Sequence, residues 1–282
     1  MRLALLITVT MMAFAANSIL TRLAIEGGHI DPSGFALIRV AAGAVVLGML
    51  ITAKGSGLPL LRRKSLPGAL SLSLYMVGFS LAYLTLDAGL GALILFGVVQ
   101  IAMFAVGMAR GQPPSTRQLT GAGVAFAGLL LALWPGPGGL ADPVGAGLMV
   151  LAGLGWAAYT LIGKGAADPL AATGASFLLC LPILLVLFLG NEMFFSPMGL
   201  TLGIICGGLT SGLGYALWYS ILPRIEGATA AIVQLSVPVL AIIAGVLLLG
   251  EPLTLMIALS TVLVVGGIGW AISGQSAPAD RK

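Results

Sequence analysis

A chain of 282 residues in which 59% are apolar and only 8% charged, with mean hydropathy +1.11, has too little polar surface to wrap a water-soluble core. It supplies instead apolar runs of about 20 residues, the length at which a helix crosses a bilayer with its backbone hydrogen bonds satisfied internally. The net charge of +4 comes without an aromatic-interleaved basic patch, which excludes a nucleic-acid surface.

Ten spans are predicted, over residues 2–25, 33–53, 66–87, 89–109, 117–134, 144–163, 169–190, 197–221, 227–249 and 253–273. The start, Met1-Arg2 ahead of an apolar run containing Ala13-Phe14-Ala15, imitates a secretory signal with its small-residue cleavage site. The apolar run continues to Ile25, so it reads as a retained first helix, with Asn17 near mid-span. Helix two carries Arg39 about six residues in, roughly 9 Å along the axis from its outer end. An unpaired charge there costs several kcal/mol, and three readings stand. The stem snorkels to the headgroups, the guanidinium pairs with an outer acid such as Asp87, or it meets a substrate or gate.

Helix three sets Tyr75 near mid-span and Tyr83 nearer the outside, as pathway lining or as core. Gln100 lies near the centre of helix four, where an amide in hydrocarbon seeks another helix or a wet cavity. Past the linker Pro135-Gly136-Pro137-Gly138-Gly139, helix six carries Trp156 and Tyr159. Tyr215, Trp218 and Tyr219 sit toward the inner end of helix eight, where an interfacial aromatic belt explains them. Helix nine adds Gln234, Ser236 and Pro238, the last as a passive kink or a moving joint. Read together, Asn17, Gln100, Tyr159, Gln234 and Ser236 favour a polar site at mid-membrane.

The chain also echoes itself. Phe14-Ala15-Ala16-Asn17-Ser18 is answered by Trp156-Ala157-Ala158-Tyr159-Thr160, Asp31-Pro32 by Asp168-Pro169, and Gly111-Gln112-Pro113 by Gly250-Glu251-Pro252, at offsets drifting between 137 and 142 residues. Five spans on each side of the linker is an odd number, so the second copy enters the membrane from the opposite side. The fold expected is therefore an all-α membrane protein of ten transmembrane helices in two inverted five-helix repeats, 1–135 and 143–275, followed by a tail, 276–282. Inverted repeats exchange roles to give two conformations, the basis of alternating access.

Loop charge sets the orientation. With the N-terminus inside, 11 of the 13 Lys and Arg face the cytoplasm and only Arg22 and Arg39 lie toward the outside. Both termini are thus expected in the cytoplasm of a cell bounded by a bacterial inner membrane. The acids Glu26, Asp31, Asp87, Asp142, Glu192 and Glu251 fall at outer helix ends or loops, and Asp168, Glu226 and Asp280 at inner ones. With no acid at mid-membrane, proton antiport, exchange and facilitated diffusion all stay open, and neutral, zwitterionic or amphipathic solutes are expected over compact dications.

Enzymatic motifs are missing. One histidine, His29, and two cysteines, Cys180 and Cys206, build no metal site from neighbouring positions, and no phosphate-binding Gly-x-x-x-x-Gly-Lys-Ser/Thr occurs. No cofactor is expected, the partners are a small-molecule substrate and the lipid bilayer, and the default state is a monomer. The competing roles are an accessory or sensor membrane subunit, which moves nothing, and an intramembrane enzyme, which needs catalytic side chains clustered at one depth.

The aromatic-small-small start of each copy, Arg39 early in helix two, and Gln234-Leu235-Ser236-Val237-Pro238 followed by Leu249-Gly250-Glu251-Pro252 resemble the drug/metabolite transporter superfamily, specifically its ten-helix EamA-type exporters. The first copy departs from that pattern: Leu95 to Gln100 lacks the proline, and Gln112 stands where an acid is usual. What the resemblance implies is efflux of small metabolites or drugs, amino acids among them, through a central cavity between the halves.

Overall fold

The computed structural model describes residues 2–60, 62–111, 115–132, 142–163, 166–221, 224 and 233–272. The linker 135–139, Gln112, Pro113, Lys164, Glu226, the first part of the ninth span and the tail with Asp280, Arg281 and Lys282 lie outside the described residues. Ten helices fit the chain: α1 (Arg2–Glu26), α2 (Pro32–Ala53), α3 (Ser65–Ala82), α4 (Ala88–Ala109), α5 (Thr116–Ala132), α6 (Pro143–Gly163), α7 (Pro169–Leu187), α8 (Pro197–Ile221), α9 (Ser236–Leu249) and α10 (Leu255–Ile272). Seven of them, α1 to α4 and α6 to α8, are long and apolar enough to cross a membrane, and α9 and α10 are shorter apolar helices. No strand occurs among the described residues, only one isolated bridge between Ile30 and Phe195.

Local chemistry fixes where several helices begin. Asp31 accepts from the Gly34 N–H at 2.8 Å, Asp168 from Ala171 at 3.2 Å and Ser196 from Gly199 at 3.0 Å, each followed by a proline at the first helical position. A capping oxygen takes one of the free N–H groups of the first turn, and proline has none to leave unpaired. The repeated Asp-Pro of the sequence is thus the same helix start used twice. Two helices end earlier than predicted: α3 stops at Ala82, because residues 83–87 turn back into α4, and α7 stops at Leu187, ahead of Gly190 at φ +87°.

The loops sort into two faces. On one, Arg22 meets Asp87 at 3.5 Å, Thr85 donates to Asp142 at 3.2 Å, Asn191 donates to Ser33 at 3.1 Å, and Ala88 N–H donates to Glu251 at 2.6 Å. On the other, Lys54 meets Asp168 at 3.2 Å and Ser56 donates to the same carboxylate at 2.9 Å. Segments that ten successive crossings would put on one side are those that touch.

Helix α2 packs on α7, α4 on α9 and α5 on α10; α3 packs on α6 and α7, and α8 on α1 and α2. Small residues permit the closest crossings: a Cβ on Gly121 of α5 would stand 2.5 Å from the Gly267 carbonyl of α10, and one on Gly207 of α8 would strike the backbone of Arg39. In lipid, where apolar burial alone does not drive helices together, such backbone approach supplies dispersion contact. One large buried apolar cluster lies at the centre, walled by aromatic rings.

Candidate functional site

Helix α2 delivers Arg39 to the interior, fully buried at 0% exposure. Its Nε donates to the Ser211 hydroxyl at 2.9 Å and its Nη2 to the Tyr75 hydroxyl at 2.8 Å, while the guanidinium lies 4.9 Å from the Phe79 ring centre. Nη1 has no hydrogen-bond partner. The snorkelling reading is overturned, because the side chain turns inward onto α3 and α8. So is the pairing with Asp87, whose carboxylate meets Arg22 instead.

Ser211 comes from a stretch of α8, Cys206–Leu213, that widens into π-helical turns, a local irregularity found often at functional positions. Asn17 of α1 gathers this stretch: its Oδ1 accepts from Thr210 at 2.7 Å, Ser211 at 3.1 Å and the Cys206 thiol at 3.3 Å. A chain of donors therefore runs from Arg39 through Ser211 to Asn17. The sequence carried a sign of it in Thr210 and Ser211, hydroxyls beside glycines at the middle of the eighth span.

Aromatic rings enclose the cluster. Trp156 sits 5.0 Å from Tyr75 and 5.0 Å from Tyr215, and Phe14 stands edge-on to Tyr215 at 5.7 Å. Tyr215 and Trp218 are only 2% and 5% exposed, so the interfacial-belt reading fails for both: they face the core across from Phe14. Between the rings lies a cavity of about 10 Å³, lined by Asn17, Ser18, Tyr75, Phe79 and Trp156 among others, about the space of one water.

A second cavity, of about 520 Å³, opens on the face that bears Lys54 and Asp168. Arg62, Arg63 and Lys64 line its mouth, and Tyr159, Ser176 and Tyr219 its depth. The Tyr159 hydroxyl is buried beside Thr173, Ser176 and Tyr219, with no hydrogen bond of good geometry to any of them. Tyr159 stacks on Trp156 at 5.5 Å, so this pair of rings stands between the large cavity and the small one. At the mouth, burial works to raise the Asp168 carboxyl, but the Ala171 N–H, Ser56 and Lys54 outweigh it and hold the group below its ordinary value.

The opposite face is tied together by contacts among the described residues. Arg22 bridges Glu26 and Asp87 and donates to the Tyr83 carbonyl at 3.1 Å, and Glu251 accepts from Ala88 and Gly89 at the start of α4. Burial pushes Glu251 up against the pull of those two N–H groups, and burial likewise raises Asp87 against Arg22.

Five of the residues singled out in the sequence, Asn17, Arg39, Tyr75, Trp156 and Tyr159, thus come together through hydrogen bonds or ring contacts. Tyr83 joins the same aromatic column at its outer end, edge-on to Phe79 at 4.8 Å and donating to the Ala88 carbonyl at 3.3 Å. Gln100 is half-buried on α4, outside the hydrogen-bonded set. Gln234 and Ser236 are half-buried at the start of α9, where Ser236 donates to the Val233 carbonyl at 2.6 Å. Pro238 is buried in the first turn of α9, where an absent N–H breaks no helical bond. None of these last four lines either cavity.

Residues 143–273 match the model of the EamA-like transporter family. The chain is 42% identical over 290 residues to a Pseudomonas aeruginosa protein described as uncharacterized protein PA1977, covering 100% of this chain and 98% of that one. It is also similar to a solved structure described only as the crystal structure of a protein, with a TM-score of 0.66 and 17% identity over 94% of this chain and 98% of the other, a likeness of fold alone.

Proposed function

The chain belongs to the EamA-like transporter family, within the drug/metabolite transporter superfamily, and on that premise we propose that it is a secondary carrier exporting small metabolites or drugs, amino acids among them, across the bacterial inner membrane by alternating access. The observation that carries this reading is asymmetry about a buried polar cluster. A cavity of about 520 Å³ opens on the face of Arg62, Arg63 and Lys64, while ion pairs and helix-end contacts seal the face of Asp87 and Glu251. With basic loops inside, this is a cytoplasm-facing state.

Helix pairing supports two inverted repeats, 1–135 and 143–275. Helices α2, α4 and α5 each pack on the helix five positions later, and the α3 to α6 contact has its counterpart in α8 to α1. Exchanging the conformations of the two halves would close the inner cavity and open the outer face around Asn17, Arg39, Tyr75 and Trp156. Tyr159 is assigned to the inner vestibule, and Tyr83, Gln100, Gln234, Ser236 and Pro238 to positions flanking the pathway. Family membership points to a non-enzymatic transporter, and an accessory subunit would move no solute.

Counterflow tests the reading. Purified protein in vesicles preloaded with unlabelled solute should concentrate labelled solute transiently for some member of a panel of amino acids and drugs. Folded protein that gives no counterflow for any member sinks the carrier and favours the accessory role. A reporter active only outside the cell, fused after Lys282, should stay silent; a strong signal would reverse the orientation.

A further inference from the structure

We propose that Arg39 is an anion-binding element and that the solute presents a carboxylate to it, an assignment that rests on the carrier reading above. A guanidinium does not lose its proton inside a protein, so Arg39 carries a full positive charge at 0% exposure. Removing a charge from water without a counterion costs several kcal/mol, and a buried arginine that serves only structure ordinarily recovers this from a carboxylate. Here the groups around it are neutral: two hydroxyls and the rings of Tyr75 and Phe79. Among the described residues the ion pairs involve Arg22 and Lys54, and none includes Arg39.

Donor counting leads to the same place. Ser211 accepts from Arg39 and passes its own proton to Asn17, so that hydroxyl is complete. The Tyr75 oxygen accepts from Nη2, and its hydroxyl lies beside that of Tyr215. Nη1 lacks an acceptor. Nη1 carries two N–H groups, so unused donors stand beside an uncompensated charge, which is the complement of an anion's oxygens. Tyr75 and Phe79, which hold the guanidinium, also line the small cavity between the aromatic rings. Walls of Phe14, Trp156 and Tyr215 suit an apolar body, and the basic mouth of the larger cavity raises the local concentration of anions. The small cavity is shut to about 10 Å³ in this cytoplasm-facing state, so Trp156 and Tyr159 must part for the solute to reach Arg39.

A carboxylate occurs both in zwitterionic amino acids and in simple monocarboxylic acids. The test uses the purified full chain and matched probes at three body sizes: an apolar amino acid, its amide lacking the carboxylate, and the corresponding acid lacking the ammonium. Binding is read by ligand-induced thermal stabilisation, which requires no flux, and counterflow is measured alongside.

The acid members should bind roughly tenfold to a hundredfold more tightly than the amides, the range of a charged hydrogen-bonded contact. Arg39→Gln should abolish that preference by weakening acid binding far more than amide binding, and Arg39→Lys should restore part of it. If Arg39→Gln does not fold, Tyr75→Phe serves, with an expected loss of about tenfold for acids alone. Equal affinity for acids and amides, an undiminished preference in folded Arg39→Gln, or no binding by any acid would overturn the assignment. Binding by acids without counterflow would leave Arg39 as an anion site and remove the carrier; counterflow of amides or drugs alone would do the reverse.

Discussion

Asn17 is the acceptor on which three donors of α8 converge, so removing it should unbalance the cluster in a calculable way. In Asn17→Ala, Thr210 keeps the Cys206 carbonyl at 2.8 Å and stays satisfied. The Cys206 thiol is a weak donor whose loss matters little. Ser211 is different: its proton goes only to Asn17, and its oxygen is already engaged by Arg39. One buried hydroxyl donor is orphaned, at about 1–3 kcal/mol in a protein interior, and hydrogen bonds between membrane helices average about 0.6 kcal/mol, so a loss of about 1–2 kcal/mol is expected. Ser211→Ala strips Arg39 Nε of its partner and should cost about 2–3 kcal/mol. In the double mutant no hydroxyl remains to orphan, so the cost of Asn17→Ala should shrink by about 1 kcal/mol. Reversible unfolding in mixed detergent micelles measures all four proteins. Costs that add to within about 0.3 kcal/mol would show that the Ser211 proton does not go to Asn17, and the donor chain from Arg39 would be refuted.

Gly207→Ala puts a methyl group against the Arg39 backbone, which cannot yield, and should cost about 3 kcal/mol or prevent folding; Gly48→Ala, with open space around it, should instead gain about 0.5–1 kcal/mol by thermal unfolding in detergent. Tyr159→Phe deletes a buried hydroxyl that lies beside Thr173, Ser176 and Tyr219 without a hydrogen bond of good geometry, so unfolding should show a loss below about 1 kcal/mol; a larger loss would mean the hydroxyl is firmly bonded. Glu251 is raised above its ordinary value of 4.5, chiefly by burial, with Asp87 and Arg22 as its charged neighbours, so the folded chain binds its proton more tightly than the unfolded chain does. Stability should therefore fall as pH rises from about 4.5 toward neutrality, and Glu251→Gln should flatten that slope in unfolding titrations, leaving the share of Asp87, which is shifted the same way.

The sequence by itself determined that the chain crosses a membrane, its helices and their starts, because each is set by interactions within some twenty residues. Apolar runs must become helices in lipid, and Asp31-Pro32 and Asp168-Pro169 carry their own caps. It also marked Arg39 and Asn17, since a polar group at depth is costly wherever it points. What it could not supply was azimuth. Depth along a helix follows from counting, but whether a side chain turns to lipid or to another helix depends on a neighbour far away in the chain, and Ser211 stands 172 residues from Arg39. For that reason Arg39 read equally well as a snorkelling anchor, and Tyr215 and Trp218 passed for a belt until α1 placed Phe14 against them. The difference between the face that bears the cavity of about 520 Å³ and the face tied by Arg22, Asp87 and Glu251 is set by contacts between segments far apart in the chain, and only the tertiary structure holds that information.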